Sequence, residues 1–155
     1  MNLKSIHTIY FIGIGGIGMS ALARYFASLG KTVGGYDKTA SPVTESLIKS
    51  GICVQFNSDP VHIDRLFMDP LKTLVVYTPA VSNTNLLLSF FKSNDFQVLK
   101  RSEVLGIITK NTRCLAVAGT HGKTTTSSIL AHLLYQCNEK AVSYTHLTLP
   151  TRSYV

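Results

Sequence analysis

The sequence predicts an α/β fold, a parallel sheet with helices on both faces. Three observations predict it. Short apolar, β-branched runs alternate with stretches of helical period. A G-x-G-x-x-G turn follows the first apolar run at once. A second loop, holding Gly-Lys-Thr, follows another apolar run later in the chain.

Residues 7–12 (HTIYFI) form an apolar run that stops at glycine and reads as a buried parallel strand. Residues 16–29 carry Ile17, Leu22, Tyr25, Phe26 and Leu29 at helical spacing, and Gly30 follows as a C-terminal stop. Residues 32–36 are a second strand, ending at Asp37. Ser41-Pro42 opens the next helix, because serine caps and proline suits the first turn. It runs to about Ser50 and is closed by Gly51. Residues 52–56 are a third strand, with a short helix expected over 61–67. Residues 73–77 (TLVVY) are a fourth strand, 84–93 a helix, 97–99 a short fifth strand and 102–109 a further helix. A new unit begins near Lys110, with a strand over 114–118 (CLAVA) and a helix over 123–136. After about Lys140 the pattern stops. No internal repeat or low-complexity linker interrupts the chain.

Composition sets bounds. The chain has 155 residues, 45% hydrophobic and 15% charged, which suits a packed core and argues against global disorder. The net charge is +7, yet the basic residues are scattered, so nothing points to nucleic acid. An anionic small ligand such as a nucleotide fits that charge. Three widely spaced cysteines, Cys53, Cys114 and Cys137, suggest neither a disulfide framework nor a zinc site, and Cys114 reads as a small core residue. No stretch of about 18 apolar residues offers a membrane span and no leader is visible, so a cytoplasmic protein is expected.

Gly13-Ile14-Gly15-Gly16-Ile17-Gly18 is the first glycine loop. Its first glycine allows a tight turn, its second a close approach to a diphosphate, and its third helix-against-strand packing, with phosphates facing free amides at a helix start. Together with the strand pattern, this makes the first unit Rossmann-like. Asp37, at the end of the second strand, stands where a ribose-binding acid is expected, although aspartate is also common as a turn residue there. This half alone reads "dinucleotide or UDP-sugar" and does not choose between them.

Gly119-Thr120-His121-Gly122-Lys123-Thr124-Thr125 is the second loop. Gly-Lys-Thr between a strand and a helix is the working end of a P-loop, here shortened because Val117 stands where the distal glycine usually lies. Backbone amides would cradle phosphate, Lys123 would reach the β- and γ-phosphates of ATP, and the Thr124 hydroxyl would ligate Mg²⁺. Lysine at a helix start opposes the helix dipole, so an anion explains it better than chance. A dehydrogenase needs only the first loop and a GTPase only the second. An enzyme that takes a nucleotide-linked substrate and also uses ATP needs both.

GIGGIGMS at 13–20 and GTHGKTTT at 119–126 together resemble the Mur ligases, and within them the branch that adds L-alanine. Arg101-Ser102-Glu103-Val104-Leu105 resembles the family's Arg-x-Glu-x-Leu segment. Thr78-Pro79-Ala80-Val81 stands where the family has Ser-Ser-Ala-Ile, so one hydroxyl is missing at 79. The resemblance covers roughly residues 5–140. It implies a UDP-substrate-binding domain over 1–108 and the start of a central ATP-binding domain over 109–140. It also implies that Gly13, Gly15, Gly16, Ile17, Gly18, Met19, Ser20, Asp37, Thr78 and Arg101 hold UDP-N-acetylmuramate. Gly119 to Thr125 would hold ATP, with Lys123 and His121 catalytic and Thr124 on the metal. ATP would phosphorylate the lactyl carboxylate, and the amine of L-alanine would attack the acyl phosphate.

Other readings remain beside this one. A non-catalytic UDP-sugar or dinucleotide module accounts for the first loop alone. The related ligase that recycles murein tripeptide shares the second, but its first loop usually differs from GIGGIGMS. An NAD dehydrogenase leaves GKTTT without a purpose. The family's later strands, acidic Mg²⁺ ligand and amino-acid-recognising domain are not among these residues, so this chain alone is expected to bind nucleotide without turnover. Residues 141–155 (AVSYTHLTLPTRSYV) do not supply the strand and glycine pair the family shows next, and a foreign or out-of-frame tail is expected. The incomplete second unit is expected to leave apolar surface open to self-association.

Overall fold

The computed structural model describes residues 6–82 and 84–137; the expected tail, 141–155, lies outside them. Five strands form one parallel sheet: β1 (Thr8–Ile12), β2 (Thr32–Tyr36), β3 (Cys53–Gln55), β4 (Thr73–Tyr77) and β5 (Gln97–Lys100). Their spatial order is β3-β2-β1-β4-β5. The helices are α1 (Ile17–Ser28), α2 (Pro42–Lys49), α3 (Leu86–Ser93), α4 (Arg101–Asn111) and α5 (Lys123–Gln136). The predicted α/β class and the Rossmann-like first unit hold. The order reverses beside β1, and in such sheets ligands bind outside the carboxyl ends of the strands at that reversal.

β1 shows why the sheet is covered on both faces. Side chains alternate across a strand. Ile9 and Phe11 join a core with Met19, Leu22, Ala23 and Phe26 of α1, Leu47 of α2, and Val104, Leu105 and Ile108 of α4. Tyr10 and Ile12 face the other way, onto Leu87, Leu88 and Phe91 of α3 and onto Phe67. The Tyr10 hydroxyl is buried without a hydrogen-bond partner among the described residues, and that burial pushes its ionisation well above the ordinary tyrosine value.

Caps set the helix boundaries. The Ser41 hydroxyl accepts from the Thr44 amide at 3.3 Å and Pro42 occupies the first turn, as the sequence predicts. The Asn85 side chain accepts from the Leu88 amide at 3.1 Å and starts α3 two residues later than its periodicity suggested. The short helix expected over 61–67 is instead two 3₁₀ turns, Pro60–His62 and Arg65–Phe67. Asp59 and Asp64 each accept the amide two residues on, which closes a turn locally and competes with α-helix growth.

The second unit differs from expectation in one respect. No strand forms over 114–118; Leu115 is 68% exposed. A strand exists through its ladder, and no described strand lies beside this segment to pair with it. Cys114 is correspondingly exposed and is not a core residue. The helix α5 does form, but none of its residues is buried. Among the described residues no helix is long and apolar enough to cross a membrane.

Candidate functional site

The first loop is hung from two strands. The amides of Gly13 and Ile14 both donate to the Tyr36 carbonyl at the end of β2, at 2.7 and 3.0 Å. Gly13 has φ +86°, a turn that glycine makes without strain. Ile14 is fully buried and anchors the loop in the core. The chain then enters α1, with Gly16 as its N-cap.

Gly15 and Asp37 meet here. The Gly15 amide donates to Asp37 Oδ2 at 2.7 Å, and Asp37 Oδ1 accepts from the Thr39 amide at 3.2 Å. A Cβ on Gly15 would stand 2.8 Å from Asp37 Oδ2 and 3.0 Å from the Thr44 methyl, so glycine is what admits both. Asp37 is therefore part of the glycine loop and more than a turn residue.

Gly18 and Arg101 meet on the next turn. A Cβ on Gly18 would collide with the Arg101 guanidinium. The third glycine thus makes room for a side chain arriving from α4, a different use from the helix–strand packing its motif position suggests. The first-turn amides of Ile17 and Gly18 have no backbone partner among the described residues. Among the described residues Arg101 has no ion pair; the acid nearest in sequence, Glu103, accepts from the Lys100 amide at 2.6 Å. An unpaired guanidinium at the positive end of a helix, beside free N–H groups, is unfavourable until an anion joins it.

The remaining residues divide. Gly16 accepts from the amides of Met19 and Ser20 at 3.0 and 2.8 Å. The Met19 side chain is buried in the core, and the Ser20 hydroxyl donates to the Ile17 carbonyl at 3.0 Å, so both shape the loop from behind. Ile17 is 72% exposed at the mouth. The Thr78 hydroxyl accepts from the Ala80 amide at 3.0 Å and holds the turn after β4. That turn brings Val81 against Gly13, where a Cβ would lie 3.5 Å from its methyl. Thr44 is the residue that sequence reasoning missed. Its only sequence signal is its place three residues after the capping Ser41.

The second loop leads directly into α5. Gly122 caps the helix at φ +78°, a left-handed conformation that favours glycine. Lys123 Nζ donates to the Gly119 and Thr120 carbonyls at 2.7 and 3.0 Å, so the ammonium bridges the loop. Thr120, His121, Thr124 and Thr125 are all exposed. No cluster of three metal-ligating acids, histidines or cysteines exists among the described residues. A single hydroxyl at Thr124 still fits Mg²⁺, which keeps several waters and takes few protein ligands beside phosphate oxygens.

The geometry can be set against known proteins. The model of the "Mur ligase family, catalytic domain" matches residues 8–113. The UDP-N-acetylmuramate–L-alanine ligase of Flavobacterium psychrophilum is 56% identical over 146 residues, covering 93% of this chain and 32% of that protein. The enzyme of the same name from Porphyromonas gingivalis (strain W83) is 59% identical over 128 residues, covering 83% and 28%. The chain therefore spans under a third of the length of these curated relatives. In three dimensions it resembles UDP-N-acetylmuramate-alanine ligase MurC of Thermotoga maritima, with TM-score 0.73, 32% identity, and coverage of 84% of this chain and 30% of that one. It also resembles a murein peptide ligase of Psychrobacter arcticus, with TM-score 0.72, 25% identity, and coverage of 96% and 35%.

Proposed function

The chain belongs to the Mur ligase family, and from that premise we propose that it is the nucleotide-binding part of a UDP-N-acetylmuramate–L-alanine ligase. The single observation that carries this reading is Arg101, without an acidic partner among the described residues, set against Gly18 and the first-turn amides of α1. That corner takes a diphosphate. Asp37, bonded to Gly15, accepts from a ribose hydroxyl. The high identity to alanine ligases supports the choice within the family.

The reaction proposed is amide formation. The lactyl carboxylate of UDP-N-acetylmuramate attacks the γ-phosphorus of ATP, and ADP leaves. The amine of L-alanine attacks the acyl carbon, phosphate leaves, and the amine gives up a proton. Gly119 to Thr125 bind ATP, Lys123 offsets phosphate charge, and His121 lies between the two substrates. Mg²⁺, when bound at Thr124, supplies further charge neutralisation at the phosphates. The product feeds peptidoglycan synthesis in the cytoplasm and, through it, cell shape and division. This chain supplies the nucleotide-binding loops of that reaction. Leu115, Ile129, Leu133 and Tyr135, exposed by 56–76%, give it a surface for self-association.

The murein-peptide ligase is the second reading, because its fold matches equally well. Calorimetric titration decides the first step. UDP-N-acetylmuramate is expected to bind, and NAD is not. Binding of NAD in place of the UDP-sugar sinks the proposal.

A further inference from the structure

Thr44 is fully buried and lies on α2, yet its methyl faces the glycine loop that follows β1. Its two branches have different partners. The hydroxyl accepts from the Ser41 amide at 2.8 Å and donates to the Ser41 carbonyl at 2.9 Å, closing the capping box of α2. The methyl lies on the same side of Gly15 as the Asp37 carboxylate: a Cβ there would meet the methyl at 3.0 Å and Oδ2 at 2.8 Å. Gly15, Asp37 and the Thr44 methyl therefore share one small volume. Close-packed groups of this kind leave each other little freedom.

We propose that Thr44 is a positioning residue for Asp37, and through it a determinant of ribose recognition by the first glycine loop. The inference rests on the nucleotide reading above. The methyl bounds the space on the open side of Gly15. The Gly15 amide in turn fixes Oδ2, and the Thr39 amide fixes Oδ1. The carboxylate is held at both oxygens before any ligand arrives, so a ribose hydroxyl meets an oriented acceptor. Without the methyl, Gly15 gains room to sink and the carboxylate loses its aim.

Two conservative substitutions separate this role from capping. Thr44→Ser keeps the hydroxyl and deletes the methyl. Thr44→Val keeps the methyl and deletes the hydroxyl. The measurement is the ratio of dissociation constants for 2′,3′-dideoxy-UDP and UDP on the full chain, together with the melting temperature. A hydrogen bond to a charged group makes that ratio about tenfold or more in the unmodified protein. Thr44→Ser is expected to reduce the ratio by about fivefold, part of what a misplaced group can cost, with only the modest loss of melting temperature that one buried methyl entails. Thr44→Val is expected to melt earlier and keep the ratio. Asp37→Ala is expected to bring the ratio close to one.

The outcomes are distinct. A full ratio in Thr44→Ser, with the ratio abolished in Asp37→Ala, overturns the role of Thr44 and leaves the nucleotide reading in place. Loss of the ratio in Thr44→Val as well as in Thr44→Ser assigns the effect to capping and also overturns it. A full ratio in Asp37→Ala removes the ribose assignment, and Thr44 with it. Failure of UDP to bind the unmodified chain removes the nucleotide reading itself.

Discussion

Asp37 Oδ2 accepts a hydrogen bond from the Gly15 amide at 2.7 Å, across 22 residues of sequence and from the neighbouring strand end. The bond joins the two halves of the first site, the loop after β1 and the acid after β2. Gly15→Ala breaks it, because the added methyl cannot share that space with Asp37 and Thr44. Overpacking of this kind costs about 1–3 kcal/mol of stability. The variant is expected to melt earlier and to lose UDP-N-acetylmuramate binding, read by calorimetry. Undiminished binding would show that Gly15 is not at the ligand.

Arg101 is expected to supply most of the salt dependence of nucleotide binding. Arg101→Gln removes a charge-assisted bond worth about 1.5–3 kcal/mol, or roughly ten- to a hundredfold in affinity. The slope of affinity against salt should flatten in parallel. Because the guanidinium has no protein acid to release, the fold itself should lose little stability. A variant that binds as before at every salt concentration contradicts the anion site.

Lys123 belongs to the second site alone. Lys123→Ala is expected to weaken Mg-ATP binding at least about tenfold, the value of one strong charge-assisted contact. UDP-N-acetylmuramate affinity should stay as it was. Fluorescence titration with an ATP analogue checks the first part and calorimetry the second.

Tyr10 carries a buried hydroxyl with no partner among the described residues. Tyr10→Phe deletes the unsatisfied group and keeps the ring contacts with Phe67 and Phe91, at 5.4 and 5.1 Å between centroids. Stability should hold or rise, by up to about 1–3 kcal/mol. The pH dependence follows from the raised ionisation. The unfolded chain releases this proton as pH passes the ordinary tyrosine value of 10.0, while the folded chain retains it. The folded state therefore loses stability above that pH. Phenylalanine has no proton to release, so the alkaline decline in denaturant midpoint should be shallower.

The periodicities and glycines of the sequence determined the sheet, its five strands, the helices of the first unit and the two loops. These are local matters: apolar spacing sets which face is buried, and a glycine ends or turns a segment where other residues strain. The same local rules misplaced the strand over 114–118, which needs a pairing partner that sequence does not reveal. They also read a helix over 61–67, where Asp59 and Asp64 close turns instead. What only the tertiary structure decided is which atoms of these distant residues meet. Arg101 reaches Gly18, Asp37 reaches Gly15, and Thr44 stands behind both Gly15 and Asp37. Spacing anticipated Asp37 and the family resemblance Arg101, but the contacts themselves and the place of Thr44 depend on the order β3-β2-β1-β4-β5 and on which helix packs over which strand end. Local chemistry writes the elements; long-range packing chooses their neighbours.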